Sequence, residues 1–365
     1  MPVPALLDAT PLSDGHSARG IGTALRGIIA AFAERPAEER PALLVRPDQA
    51  RPVGFATRDV RWPRWPLHRL PDPWPAAVGE RAAARLATGG VFHAIQPALV
   101  PGGRTVVTCH DLIPACFPDE YLAGVGRAGQ ALAYRRFLRR LRRATLVLTP
   151  SAETAGDVVR LAAVDAGRVR VVPWGAPRPP APEGTRLEGR YVLYAGAIEP
   201  HKNAATAIEA IALATPGLRL VMAGPWSAGR ERRLRGLAAR VGAERRVEWL
   251  GMLTPARLAA VRSGALAALV PSRKEGFGLP VLEALTAGVP VLASDTPALR
   301  EVGGDAATYL PPGDARAWAE AISAAADERP AERAARTSAG RERAASFTWE
   351  HTAEGLLAAY RDAAA

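Results

Sequence analysis

The most informative stretch of the sequence for the fold is Pro271–Gly278, PSRKEGFG, which continues into Leu279-Pro280-Val281-Leu282-Glu283. It follows the apolar run Leu266–Val270, which is typical of a buried parallel strand. It precedes a short helical pattern that Gly288 and Pro290 end. The sequence therefore predicts a glycine-rich loop with two carboxylates between the carboxyl end of a strand and the amino end of a helix. Open α/β sheets bind their ligands at such places.

The residue types of this loop suit an anionic sugar derivative. Backbone N–H groups at a helix start favour a diphosphate, and Gly276 and Gly278 permit close approach and positive φ. Carboxylates suit vicinal hydroxyls. We therefore expect Glu275 to meet a sugar, the amides of Gly278 and Leu279 to meet the diphosphate, and Glu283, in the first helical turn, to meet a ribose. An ordinary strand–helix loop explains Glu283 alone, but not the whole string.

The string Glu275–Pro280, with Glu283 eight residues after Glu275, resembles the signature of retaining glycosyltransferase family 4. The resemblance spans nearly the whole chain and is strongest for a mannosyltransferase-like subgroup. The other matching strings are Tyr194–Asn203 (YAGAIEPHKN), His110–Pro114 (HDLIP), Gly20-Ile21-Gly22 and Ala293-Ser294-Asp295. The resemblance implies the α/β GT-B fold, in which two Rossmann-like domains face a central cleft and the second holds most of the nucleotide sugar.

The same resemblance extends the list of candidate site residues. Lys202 follows a predicted strand and Gly196, and its ammonium suits the leaving diphosphate. Relatives imply that His110 contacts the transferred sugar and that Gly20 and Gly22 close on the diphosphate. Phe277, of a residue type that is usually buried, completes the donor loop.

One position departs from the family pattern. Many members carry Arg directly after the glycine of the second motif, where this chain has Ala197. We expect His201 or Arg273 to share the positive charge instead.

The expected reaction moves a hexose from a nucleotide-diphosphate sugar, first of all GDP-mannose, to a hydroxyl of a glycan, a lipid-linked or a small-molecule acceptor, with retention at the anomeric carbon. UDP- and dTDP-hexoses stay open as donors. No metal or other cofactor is expected, because cations and a helix dipole can carry the leaving charge. Two alternatives remain: a nucleotide-sugar 2-epimerase of the same fold, and a non-enzymatic protein that binds polyanions or membranes.

The length of 365 residues predicts two domains. The proline-rich string from Pro173 to Gly184 indicates a stiff linker. We assign residues 1–172 to an N-terminal, acceptor-binding Rossmann-like domain, 173–187 to the linker and 188–346 to a C-terminal, nucleotide-sugar-binding domain. Residues 347–365 are expected to form a helix that packs back on the first domain.

The net charge of +11 favours anionic partners. The densest basic cluster, residues 134–143, has apolar positions at helical spacing and arginines on the other face. It predicts either a solvated amphipathic helix or a peripheral contact with anionic membrane. No apolar run is long enough to span a bilayer, and the first residues lack the pattern of a signal peptide, so we expect a cytoplasmic protein. No nucleic-acid partner is expected.

Two further features allow more than one interpretation. Residues 61–75 carry Trp62, Trp65 and Trp74 among prolines, which predicts either a structured loop or a loop that touches acceptor or membrane. Cys109 and Cys116 lie near His110 and Asp111, but without the spacings of known metal sites, and we expect two buried thiols.

Overall fold

The computed structural model divides the chain into two compact units. The first unit contains Met1–Gly175 and Thr348–Ala365, and the second contains Ala176–Phe347. The residues that the structure describes are 3–13, 20–60, 85–87, 89–95, 100–101, 103–124, 127–185 and 187–365. The tryptophan-rich segment 61–75 lies outside them.

The first unit alternates strands and helices. Its strands are β1 (Ala5–Asp8), β2 (Ala42–Val45), β3 (Thr57–Asp59), β4 (Val91–Ala94), β5 (Thr105–Thr108), β6 (Leu146–Thr149) and β7 (Val169–Val171). Its helices are α1 (Gly20–Ala33), α2 (Ile113–Cys116), α3 (Pro118–Tyr121), α4 (Ala128–Leu141), α5 (Ala152–Ala162) and, from the end of the chain, α13 (Trp349–Ala364).

The strands of the first unit form one parallel sheet in the order β3-β2-β1-β4-β5-β6-β7. This is the doubly wound order, in which the direction of winding reverses between β1 and β4. Successive strand residues alternate between two cores: Leu7 packs with α1 and α13, whereas its neighbour Leu6 packs with α4 and α5. Helices on both faces explain why these strands are continuous apolar runs.

The second unit repeats this architecture. Its strands are β8 (Tyr191–Ala195), β9 (Arg219–Ala223), β10 (Val247–Gly251), β11 (Ala268–Val270), β12 (Val291–Ser294) and β13 (Ala307–Leu310). Its helices are α6 (Ala204–Leu213), α7 (Ala228–Arg240), α8 (Pro255–Ser263), α9 (Leu279–Thr286), α10 (Pro297–Gly303), α11 (Ala315–Asp327) and α12 (Pro330–Ala345).

The second sheet is also parallel, in the order β10-β9-β8-β11-β12-β13, and its winding reverses between β8 and β11. Helices α6, α7 and α11 cover one face around the fully buried Trp318. The two doubly wound sheets confirm the predicted fold class. Among the described residues, no helix combines the length and apolar character that crossing a bilayer demands.

The last helix belongs to the first unit, as the resemblance implied. Leu356 and Tyr360 of α13 are buried in the core that α1 shares. The Tyr360 hydroxyl lies 2.9 Å from Nδ1 of His93, whose Nε2 lies 2.8 Å from Oγ1 of Thr108. These contacts connect α13 to strand β4 and, through it, to β5.

Candidate functional site

The carboxyl ends of β8 and β11 bring together two segments that are far apart in sequence. These two strands are neighbours in the sheet, and the winding reverses between them. The loops that leave them therefore turn to opposite faces and leave a crevice, which is where doubly wound sheets bind ligands. Gly196 follows β8, and the PSRKEGFG loop follows β11.

The crevice holds an ion pair with two short contacts. Nζ of Lys202 lies 2.7 Å from Oε1 and 2.8 Å from Oε2 of Glu275. The hydroxyl of Ser272 donates a third hydrogen bond to Oε1 at 2.7 Å. Glu275 is only 6% exposed, while the side chain of Lys202 keeps 21% of its surface accessible. An incoming anion can therefore reach the ammonium of Lys202 without first displacing the buried carboxylate.

This environment keeps Glu275 ionised. Burial alone would raise the pKa of the Glu275 carboxyl, but the charge of Lys202 and the hydrogen bonds from Lys202 and Ser272 outweigh burial and hold the pKa below its usual value. The carboxylate is thus an acceptor only, and it is suited to hold hydroxyl donors or a cation rather than to give up a proton.

His201 does not supply the second positive charge that the sequence suggested. Burial, followed by the charge of Lys202, lowers the pKa of His201 to about 4, so its imidazole is neutral near pH 7. Its backbone carbonyl accepts a hydrogen bond from the amide of Arg273 at 2.7 Å, which joins the two loops. Arg273 remains the charged member of the pair, and its guanidinium lies 3.3 Å from the carbonyl of Pro200.

At the start of α9, Gly278 has the positive φ that the sequence allowed for. Gly278 precedes the helix with φ of 117°, and a side chain there would meet Leu299 of α10 at 3.1 Å, so glycine is required. The carbonyl of Gly278 begins the helical hydrogen bonds, while the amides of Gly278 and Leu279 lie at the helix amino end. Phe277 is buried as expected, with its ring against Phe347. Its side chain supports the loop from the inside.

Glu283 lies one turn further into the helix than predicted. Helix α9 begins at Leu279 and has no acid in its first turn, so Glu283 lies in the second turn. The carboxylate is held by Arg262 of α8, with Nη2 2.6 Å from Oε2. The strand end was predicted correctly, but the helix begins at Leu279, earlier than a first-turn Glu283 requires, so the loop is shorter than expected.

The other three candidates belong to the first unit. Gly20 is the first residue of α1, and Gly22 is buried within its first turn. His110 follows β5, with its Nε2 2.6 Å from the carbonyl of Ile95 and its ring 5.1 Å from that of Trp174. The structure thus groups Gly196, His201, Lys202, Arg273, Glu275, Gly276, Phe277, Gly278, Leu279 and Glu283 in the second unit.

Sequence reasoning missed three residues that build this site. Ser272 hydrogen-bonds Glu275, and Arg262 holds Glu283. Gly224 follows β9 with φ of 144°, and a side chain there would lie 2.2 Å from the carbonyl of Gly196. Each had a signal in the sequence. Ser272 is a polar residue inside the PSRKEGFG motif, Arg262 interrupts an apolar run in α8, and Gly224 directly follows a strand.

The cysteines form no disulfide: both are thiols, Cys109 fully buried and Cys116 partly buried. The expectation of two buried thiols is therefore correct for Cys109 alone. In the part of the chain that the structure describes, no three His, Cys, Asp or Glu side chains gather as a metal-binding group.

Comparisons with known proteins cover both units. Residues 20–177 match the family described as Glycosyltransferase Family 4, and residues 179–343 match Glycosyl transferases group 1. D-inositol 3-phosphate glycosyltransferase of Nocardia farcinica is 37% identical over 58% of this chain and 51% of its own length. O-antigen chain mannosyltransferase B of Escherichia coli is 30% identical over 71% of this chain and 70% of its own length. The chain spans about half the length of the inositol phosphate enzymes that it matches.

Solved structures share the fold at lower identity. Sucrose-phosphate synthase from Thermosynechococcus elongatus superposes with a TM-score of 0.75 at 22% identity, covering 98% of both chains. Anabaena HepE in complex with UDP and glucose gives 0.69 at 18% identity, covering 97% of this chain and 98% of its own. These structures share the fold, while the two family matches and the Escherichia coli relative establish that the chain belongs to glycosyltransferase family 4, among the group 1 glycosyltransferases.

Proposed function

We propose that the protein is a retaining hexosyltransferase. It takes a hexose from a nucleotide-diphosphate sugar and transfers it to a hydroxyl of a glycan, a lipid-linked or a small-molecule acceptor. The observation that carries this proposal is the contact between Lys202 and Glu275 at the start of α9. It supports the proposal because a partly accessible ammonium contacts a buried, ionised carboxylate whose loop leads into the amino end of α9.

Each part of this arrangement has a role in the proposed reaction. The Lys202 ammonium and the amides of Gly278 and Leu279 stabilise the negative charge that grows on the departing diphosphate. Glu275 accepts hydrogen bonds from hydroxyls of the transferred sugar. His110 of the first unit is proposed to contact the same sugar, and Gly20 and Gly22 the diphosphate.

The proposed chemistry needs no side-chain base. The bond between the anomeric carbon and the diphosphate oxygen breaks, and the acceptor oxygen bonds to the same carbon from the same side. The acceptor proton passes to the departing diphosphate oxygen, so that atoms and charges balance. The transition state resembles an oxocarbenium ion, as in other glycosyl transfer. We expect turnover without an added metal ion, because Lys202 and the α9 amides supply positive charge; activity that EDTA abolishes and Mg²⁺ restores would contradict this.

GDP-mannose is the first donor to test. The relatives that support it are the O-antigen chain mannosyltransferases of Salmonella typhimurium and Escherichia coli. Other relatives are inositol phosphate glycosyltransferases, and one structural neighbour was solved with UDP and glucose. The donor set must therefore include UDP-hexoses from the start.

For the first unit we also propose a peripheral contact with anionic membrane. Helix α4 turns Tyr134, Phe137 and Leu138 towards the core, so its apolar face is occupied. Arg135 and Arg139 are exposed. Apart from the exposed Leu132, such a helix offers charge rather than an apolar face to a lipid surface. Its binding would be electrostatic and sensitive to salt. Liposomes with acidic lipid should co-sediment the protein at low salt and release it at high salt.

Thermal stabilisation by UDP, GDP, dTDP and ADP at equal concentrations tests the donor site first. A ligand that binds only the folded protein raises the melting temperature, and at equal concentration a tighter ligand raises it more. A selective shift by one nucleotide would name the base and direct the choice of sugar for turnover assays. A folded protein that none of the four stabilises would contradict the proposal.

A further inference from the structure

Arg262 is a buried cation in the last turn of α8. Its side chain is only 8% exposed, although an arginine is rarely buried unless its charge is paired. The guanidinium donates to Oε2 of Glu283 at 2.6 Å, a distance typical of a charge-assisted hydrogen bond. The two residues that precede it in α8, Ala260 and Val261, are buried as well, so Arg262 belongs to the enclosed part of this helix.

Glu283 is the exposed member of the pair. Its side chain keeps 30% of its surface accessible, whereas that of Arg262 is enclosed. A free glutamate on a helix samples many rotamers, and ordering it on a ligand costs conformational entropy. Because Arg262 holds one carboxylate oxygen of Glu283, the plane of this carboxylate is set before any ligand binds. The accessible part of the group is thus presented in one orientation.

We propose that Arg262 is a positioning residue that orients Glu283 to accept the vicinal hydroxyls of the donor ribose. This inference rests on the proposed function, in which Glu283 meets the ribose. Two hydroxyls on neighbouring carbons require a carboxylate in a fixed plane, and preorganisation of that plane increases affinity without a new contact. Arg262 itself touches no ligand; it acts through Glu283.

A merely structural ion pair makes a different prediction. If the pair only joins α8 to α9, breaking it lowers stability and weakens all nucleotides equally. If Arg262 positions Glu283, breaking it removes selectively the affinity that comes from the ribose hydroxyls. The distinguishing quantity is therefore the ratio of dissociation constants for a nucleotide with and without those hydroxyls.

The experiment measures Kd by calorimetry for UDP and GDP and for their 2′,3′-dideoxy counterparts. The wild-type protein should bind the better nucleotide about tenfold or more tightly than its dideoxy form, since hydrogen bonds to a charged group are lost. In Glu283→Gln and in Arg262→Gln this ratio should fall close to one. The double variant should show no further fall, because the two residues act on the same hydroxyls.

Arg262→Lys keeps a buried cation and provides a second variant if Arg262→Gln does not fold. Lysine has a shorter reach and no planar fork, so the ratio should lie between wild type and Glu283→Gln. A ratio that stays at the wild-type value in a folded Arg262 variant, while Glu283→Gln removes it, overturns the inference and leaves the proposed function intact. So does a wild-type protein that binds nucleotides without distinguishing the dideoxy forms. A wild-type protein that binds no nucleotide overturns both.

Discussion

At the scale of single residues, Lys202 stands out because lysine is rare in this chain. Two of the 47 lysine and arginine side chains are lysines, and both, Lys202 and Lys274, flank Glu275 in space or in sequence. A compact ammonium reaches both carboxylate oxygens and keeps a donor for a phosphate, whereas a planar guanidinium needs more room. Lys202→Arg should therefore lower kcat/KM at least about tenfold, roughly 1.4 kcal/mol. Steady-state kinetics of the sugar transfer would measure it.

The matched control is Arg232→Lys, the reverse exchange at an exposed position of α7. It should leave kinetics unchanged, since nothing there depends on the shape of the cation. Wild-type activity in Lys202→Arg would show that any cation serves at this position.

Glu275 carries the second prediction at this scale. Glu275→Gln keeps the shape but removes the charge that holds Lys202 and the sugar hydroxyls, so kcat should fall at least about tenfold, roughly 1.4 kcal/mol. Ser272→Ala removes only one of the hydrogen bonds to Glu275 and should have a smaller effect. Rapid-quench or steady-state turnover would rank the two variants. A near-normal kcat in Glu275→Gln would remove Glu275 from the reaction.

The sequence predicted where Lys202 and Glu275 lie, but not that they touch. Each follows a strand, and the carboxyl ends of parallel strands share one edge of a sheet. Their contact spans 73 residues and depends on the strand order, which no local pattern contains. Arg262 escaped notice because an arginine in a helix usually lies at the surface. Only the apolar residues around it hinted at burial.

At the scale of elements, α13 depends on two glycines. A side chain at Gly27 of α1 would lie 2.2 Å from the ring of Trp349, and one at Gly175 would lie 2.4 Å from its backbone. Gly27→Ala should therefore push α13 away from α1 and lower the melting temperature of the first unit. Alanine usually stabilises an exposed helix by about 0.5–1 kcal/mol relative to glycine, so the sign of the change is diagnostic.

Gly129→Ala on α4 is the control, because nothing lies within 4 Å of the added carbon. It should raise or preserve the melting temperature in the same differential scanning experiment. Equal stabilisation by both substitutions would mean that Trp349 adapts without loss.

In the second unit, Arg246 binds the backbone of the segment between α6 and β9. The guanidinium of Arg246 donates to the carbonyls of Ala214, Thr215 and Leu218 at 2.8–3.1 Å. Arg246→Met keeps the apolar part of the side chain but leaves these carbonyls without their hydrogen-bond donor. The substitution should therefore lower the free energy of unfolding by roughly 2 kcal/mol. Arg245→Met, one residue earlier and exposed, is the control for charge and should have little effect. Urea unfolding of both variants would decide; equal losses would contradict a specific role.

The elements that the sequence predicted are those with continuous apolar runs. Such runs mark strands β1, β2, β4–β6 and β8–β12. Ser151 is a residue type that favours the cap position, and its hydroxyl accepts from the amide of Thr154 at the start of α5. Strands β3 and β13 lack such a run. Both are edge strands: β3 is mostly exposed, and β13 is only partly buried, so neither needs a run of apolar residues.

At the scale of the whole molecule, the charge of +11 overstates the signal for an anionic partner. The guanidinium groups of several arginines donate hydrogen bonds to backbone carbonyls within the fold. Arg333 binds those of Ala265 and Leu266, and Arg343 those of Glu301 and Val302. Charge counts from sequence could not separate these structural cations from surface ones, because the separation depends on tertiary contacts.

Among the described residues, each unit buries one neutral histidine, which makes both units sensitive to acid. Burial, and then the charge of His110, lowers the pKa of His93 to about 3, while that of His201 is about 4. Both histidines bind a proton more readily in the unfolded chain, with an ordinary pKa near 6.5. Their contribution to stability is therefore complete above pH 6.5 and is lost progressively as the pH falls towards 3 and 4, respectively.

The size of this effect can be measured by substitution. Between pH 6.5 and 5, one such histidine should lower the free energy of unfolding by about 2 kcal/mol, at 1.36 kcal/mol for each pH unit. His93→Gln can still hydrogen-bond but does not titrate, so its unfolding free energy should fall less over this range than that of the wild type, by about the same 2 kcal/mol. Substituting the exposed His351 should leave the wild-type slope. If His93→Gln and wild type lost equal stability, His93 would already carry its proton in the folded state, and its contacts with Tyr360 and Thr108 would have to hold an imidazolium in the core.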